Sequence, residues 1–308
     1  MLVEPPHLLT LPEGRILAYD DVGDPAGTPV IYLHGTPDSR LARHPDDSVA
    51  ATVGVRLIAV DRPGAGDSSF HAGARLASLG HDLVHLLDAL RIEQAALLGW
   101  SAGGLFALAA ATVLGDRVAA IGLVGSLPPV EAHDDPEVVA ALGPARRAVI
   151  EMAQELTPEE LAGELVTYLV PHPLTPQLAL DHVRESAGER GRAELATVAG
   201  ASEQLARALE ASVQQGLAGL RHDLALQLEP GVALEEVRAP VRTFHGSHDG
   251  TSPPEVGAWL ARHLPNAVLD LVPDGGHHLL FPRWRGILRA IVRDGSNTQR
   301  RGSDPPGC

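Results

Sequence analysis

Apolar positions along the chain follow two rhythms that alternate with each other. Short continuous apolar runs, each closed by Gly, Pro or Asp, occur at residues 30–33, 55–60, 95–98 and 119–124 and predict strands buried on both faces. Helical spacing appears at residues 39–53 and 75–90. In the second of these, Leu79, Leu83, Leu86, Leu87 and Leu90 share one stripe. Residues 7–10 and 15–20 flank Pro12-Glu13-Gly14 and predict a hairpin. A hairpin followed by repeated strand–helix units predicts an α/β fold, with a mostly parallel sheet and helices on both faces.

From residue 126 to 239 the strand signal stops and only helical patterns remain. Thr157-Pro158-Glu159-Glu160 reads as a capping box with proline in the first turn, and Thr175-Pro176 opens another helix. Residues 192–220 read as one long, alanine-rich helix. After Pro240 the strand–helix rhythm returns, with strands at 241–245 and 268–272 and helices at 254–264 and 279–292. The predicted organisation is a core at residues 1–125 and 240–293, an inserted helical cap at 126–239, and a polar tail at 294–308 expected to be disordered. No internal repeat is present.

Composition narrows the chemistry. The 308 residues suffice for a full core, and 44% hydrophobic with 20% charged residues is ordinary for a soluble protein. A formal charge of −15 disfavours nucleic acid and anionic membranes as partners. Every basic side chain apart from histidine is arginine, which excludes a lysine Schiff base or lysine general base. The single cysteine, Cys308, allows no intramolecular disulfide and argues against a thiol nucleophile. The N-terminus lacks a signal-peptide pattern. The longest apolar stretch, at 105–114, is about half of the ~20 residues a membrane span needs, so a cytoplasmic location is expected.

Gly99-Trp100-Ser101-Ala102-Gly103 lies directly between an expected strand and an expected helix. A sharp turn there exposes a serine hydroxyl beside backbone N–H donors and within reach of a base, and Ser101 is the candidate nucleophile. The other elements with chemical potential are His34-Gly35-Thr36-Pro37, Asp61-Arg62-Pro63-Gly64-Ala65-Gly66-Asp67-Ser68, and Asp249 followed by Gly275-Gly276-His277. With these four motifs in this order, the chain resembles the α/β-hydrolase superfamily, in the group with a helical cap after the sixth strand. The resemblance covers about residues 5–292.

That resemblance implies a Ser-His-Asp triad of Ser101, Asp249 and His277, with His278 as the neighbouring alternative base. Asp134 or Asp135 would serve if the acid followed the preceding strand instead, although both read as starters of a helix. The oxyanion hole is assigned to the backbone N–H groups of Ala102 and Thr36, since Pro37 has no N–H. His34 and the Asp61 segment are expected to be structural. Trp100, beside the nucleophile, is a candidate substrate contact, while Gly216, Gly219 and Asp223 receive packing or turn roles.

His245, His248, Asp249, His277 and His278 form a histidine-rich set, but there is no helical H-E-x-x-H and no thiolate near them. There is also no phosphate loop or dinucleotide fingerprint, so neither a metal nor a cofactor is expected. Epoxide hydrolases and haloalkane dehalogenases share the H-G-x-P element but attack with aspartate; a serine implies attack on an acyl carbon. The expected activity is a cofactor-independent serine hydrolase, taking a small-molecule carboxylic ester, lactone or related acyl substrate through an acyl-enzyme. A non-hydrolytic lyase or perhydrolase, or a silent small-molecule sensor, are the alternatives.

Overall fold

The computed structural model of the protein describes residues 5–229 and 231–302, with side chains through residue 296. Eight strands form one sheet: β1 His7–Thr10, β2 Ile16–Gly23, β3 Thr28–Leu33, β4 Val55–Val60, β5 Ala95–Trp100, β6 Val118–Val124, β7 Val241–Gly246 and β8 Ala267–Val272. Their spatial order is β1-β2-β4-β3-β5-β6-β7-β8. The β1–β2 and β2–β4 pairs are antiparallel and all others are parallel. The α/β class and the parallel sheet match the expectation.

The helices are α1 Ser48–Ala51, α2 Ser78–Ala89, α3 Gly103–Leu114, α4 Pro136–Ala141, α5 Pro144–Met152, α6 Pro158–Leu169, α7 Pro176–Ser186, α8 Gly188–Ala196, α9 Ala201–Ser212, α10 Ala218–Gln227, α11 Pro254–His263 and α12 Leu280–Gly302. Strand alternation distributes the central apolar runs to two cores. Ile31 and Leu33 face the layer of α2, α3 and α11, where Leu79, Leu83, Leu86 and Leu87 are buried. Val30 and Tyr32 face α1, α12 and the helical segment. Helices α4–α10 all lie between β6 and β7.

Three expectations need correction. Residues 39–53 are mostly turns, and only α1 is helical. The basic positions of that stretch are buried in ion pairs. Arg40 binds Asp20 at 2.9 Å and Asp61 at 2.6 Å, and Arg43 binds Asp20 at 2.7 Å, all of them buried. Those pairings hold the chain in a non-helical path, and Pro45 follows at once.

Residues 192–220 form parts of three helices rather than one. The breaks fall at Gly200 (φ 79°) and Gly216 (φ 95°), whose left-handed conformation no continuing helix uses.

The tail expected to begin at residue 294 is instead the end of α12. Asp294 accepts from Arg242 Nε at 2.8 Å and NH2 at 3.2 Å, and Gly295 packs on Ala119, so tertiary contacts extend the helix along the sheet. Residues 303–308 lie outside the described residues. Among the described residues, no helix is long and apolar enough to cross a membrane.

Chain order reverses between the adjacent strands β3 and β5. In open parallel sheets, the crevice beyond the strand ends at such a point is where ligands bind. The segments that leave these two strands carry Thr36 and Ser101.

Candidate active site

Ser101 follows β5 immediately and has a positive φ of 53°, rare for a residue other than glycine. Two hydrogen bonds hold the elbow: Ser101 N donates to Val124 O and Leu127 N donates to Ser101 O. The flanking glycines are required by close approach. A Cβ at Gly103 would lie 2.1 Å from Leu33 O, and one at Gly99 would lie 2.4 Å from Gly103 O. The side chain is thereby pushed above the sheet edge.

Ser101 Oγ–H donates to His277 Nε2 at 3.1 Å, and His277 Nδ1–H donates to Asp249 Oδ2 at 2.9 Å. The other carboxylate oxygen of Asp249 accepts from Thr251 N and Ser252 N, each at 2.8 Å. Asp249 is buried, so burial works against its charge. The adjacent His277 and those two N–H groups outweigh it and lower its pKa. For His277 burial again disfavours the charged form, but the charge and hydrogen bond of Asp249, with Glu194 and Asp38 beyond, raise its pKa above the ordinary value.

The structure thus brings together all three residues that the resemblance implied. His278 lines the same cavity but forms no hydrogen bond to Ser101 or Asp249: its Nδ1 is buried without a partner near Gly191, and burial lowers its pKa to about 3. Asp135 caps α4 by accepting from Glu137 N and Val138 N.

Trp100 Nε1 donates to His277 O at 3.1 Å, so the indole also steadies the histidine loop. A second support comes from the helical segment. Glu194 of α8 accepts from Gly276 N at 2.6 Å and His278 N at 3.0 Å, on both sides of His277.

Thr36 N–H and Ala102 N–H donate to no backbone or side-chain acceptor among the described residues. Such free donors near a nucleophile can stabilise an oxyanion. The Thr36 side chain is fixed by donating to Asp223 Oδ2 at 2.7 Å and accepting from Arg62 at 2.7 Å and Gln227 at 3.0 Å. Arg62 grips Asp223 through two nitrogens, at 2.7 and 3.0 Å. It also donates to the carbonyls of His34 and Gly35. His34 is neutral here, because burial holds its pKa well below the usual range. Its Nδ1 donates to Gly35 O and its Nε2 accepts from Arg62 N.

Asp223 therefore does more than pack or turn: it ties α10 to the loop after β3. Sequence reasoning also passed over Arg62, Gln227, Glu194 and Asp38. Arg62 was within reach, since it stands inside one of the four motifs.

A cavity of about 260 Å³ opens beside Ser101 and His277, lined by Thr36, Asp38 and Trp100 from the core and by Leu169, His182 and Leu205 from the helical segment. Among the described residues, no group of three or more His, Cys, Asp or Glu side chains is arranged to hold a metal ion.

The alpha/beta hydrolase fold family matches residues 28–283. Over 239 residues the chain is 30% identical to a pimeloyl-[acyl-carrier protein] methyl ester esterase of Neisseria meningitidis serogroup B, covering 77% of this chain and 80% of that protein. Solved structures agree in fold. An esterase from Rhodococcus sp. ECU1013 superposes with a TM-score of 0.65 at 21% identity, over 95% of this chain and 99% of that one. A bromoperoxidase from Bacillus anthracis does so with a TM-score of 0.68 at 21% identity, with the same coverage. Strand order, the position of the helical segment and the match over residues 28–283 lead to one conclusion: the chain belongs to the α/β-hydrolase family.

Proposed function

We propose that the protein is a cofactor-independent serine hydrolase that cleaves a carboxylic ester or related acyl compound through an acyl-enzyme. The observation that carries this is the continuous hydrogen-bond chain from Ser101 through His277 to Asp249, at 3.1 and 2.9 Å. The relation to a methyl ester esterase supports an ester as the substrate class.

In this reading His277 Nε2 takes the hydroxyl proton as Ser101 Oγ attacks the acyl carbon. Asp249 holds the imidazole in the tautomer that leaves Nε2 free and stabilises the imidazolium that forms. Negative charge then develops on the former carbonyl oxygen, where the N–H groups of Thr36 and Ala102 receive it. Losing one such donor costs about 3 kcal/mol of transition-state stabilisation. His277 returns the proton to the leaving oxygen, and the acyl group remains on Ser101. Water, deprotonated by the same imidazole, attacks the acyl-enzyme and releases the acid. Helices α4–α10 act as the cap, whose apolar residues Leu169, Val183, Leu205 and Leu209 close the acyl pocket.

A panel of p-nitrophenyl and methyl esters of increasing acyl length tests the reading. Hydrolysis by wild type at rates that fall at least about 10³-fold in Ser101→Ala supports it. Turnover that survives this substitution contradicts it.

A further inference from the structure

The cavity beside Ser101 contains one carboxyl group with no partner. Asp38, on the loop after β3, lines the cavity with Ser101, Trp100 and His277, and it forms no hydrogen bond or close ion pair among the described residues. Its oxygen flanks the same gap as the nucleophile: a Cβ added at Gly35 would lie 2.9 Å from Asp38 Oδ2 and 3.4 Å from Ser101 Cβ.

Two positive groups act on it from a distance, and neither neutralises it. The Arg62 guanidinium is committed to Asp223, Thr36 and the His34 and Gly35 carbonyls, and His277 is committed to Asp249. Burial therefore dominates and lifts the Asp38 carboxyl to about 7, against the opposing pull of Arg62 and His277.

Among the described residues no arginine lines the cavity, and the chain contains no lysine. Of the histidines in its wall, His278 is neutral. Asp38 is partly exposed at the cavity wall, and a carboxylate held there without a counter-ion is favoured by a bound cation. Trp100, in the same wall, offers an aromatic surface compatible with a cation. An anionic acyl chain would meet like charge.

We propose that Asp38 selects acyl substrates that carry a cationic amine, which its carboxylate holds while the ester carbonyl sits at Ser101. This rests on the hydrolase reading of Ser101 and extends it from reaction type to substrate class. A carboxylate that only supported the His277 imidazolium would speed all esters alike. One that recognises an amine changes the ratio between esters.

That ratio is the test. Three methyl esters of equal acyl length are compared: methyl 4-aminobutanoate, methyl pentanoate and monomethyl glutarate, together with the homologous set one carbon shorter. Values of kcat/KM are measured at pH 8, where the Asp38 carboxyl is mostly ionised and the amine still protonated, on wild type, Asp38→Asn, Asp38→Glu and Ser101→Ala. The expected result is that wild type prefers the ammonium ester over the alkyl ester, and both over the carboxylate ester. In Asp38→Asn the ammonium-to-alkyl ratio should fall by about tenfold or more, while Asp38→Glu, which keeps the charge, should retain the preference. An unchanged ratio in Asp38→Asn, or equal slowing of all three esters, overturns the assignment and leaves the hydrolase reading standing. Failure of wild type on every ester, or full activity in Ser101→Ala, overturns both.

Discussion

Glu194 takes the backbone N–H groups on both sides of His277, through Gly276 at 2.6 Å and His278 at 3.0 Å. One carboxylate on α8 therefore fixes where the imidazole stands and adds negative charge near it. Asp223 on α10 does the same for the loop that carries Thr36. The helical segment grips both loops of the candidate site.

Replacing Glu194 with Gln leaves one acceptor oxygen where two were used and removes the charge. Activity should fall by about tenfold, because small misplacements of a catalytic group are costly. The sign of the pH effect follows from His277, whose pKa Glu194 helps to raise. Without that charge the imidazolium is less stable, and the acid limb of kcat/KM shifts to lower pH. A pH–rate profile checks this; lost activity with an unmoved acid limb would mean that Glu194 only holds the loop.

Thr36→Val removes the hydroxyl that meets Asp223, Arg62 and Gln227. The Thr36 N–H is needed most when charge builds on the carbonyl oxygen, so kcat should fall by about tenfold with a smaller change in KM. Steady-state kinetics on one good ester separate the two. A rise in KM alone would place Thr36 in ground-state binding instead.

The buried cluster of Asp20, Arg40, Arg43 and Asp61 bears on stability rather than on chemistry. Asp61 accepts from Arg40 N, Arg40 NH1 and Asp67 N. Asp61→Ala leaves Arg40 buried beside a cavity with its charge less compensated. The expected loss is about 3–5 kcal/mol, read from denaturant unfolding. A loss under about 1 kcal/mol would show that the remaining carboxylates compensate.

Asp38 gives a pH-dependent stability of definite sign. Its folded pKa, about 7, lies above that of an unfolded aspartate. Between those values the folded state binds the extra proton, so stability is lost as pH rises toward and through 7. Asp38→Asn escapes this cost. It should melt at a higher temperature than wild type at pH 8, by about 2 °C or more, with a smaller gain at pH 4. Equal differences at both values would contradict the assignment.

What the sequence made legible was local. Ser101 sits in five residues whose strand-to-helix context is contiguous, and Asp249 and His277 lie in the short loops that follow β7 and β8. Glu194 and Asp223 meet their partners across 82 and 161 positions, and no short pattern marks either. The helix expected at 39–53 fails for the same reason, since Arg40 and Arg43 pair with carboxylates that lie far off in the chain or on other elements. Asp294 is bound by Arg242 on β7, a contact across 52 positions that anchors the end of α12. The breaks at Gly200 and Gly216 were different: their residue type was visible, but alanine-rich periodicity outweighed it.

The central claim is that Ser101 is activated by His277. Intact-mass measurement after treatment with a fluorophosphonate, on wild type, Ser101→Ala and His277→Ala, tests it most directly. The expected result is a single adduct on wild type, none on Ser101→Ala and labelling slowed by orders of magnitude on His277→Ala. Folded wild type that stays unlabelled, or Ser101→Ala that labels equally well, would contradict it.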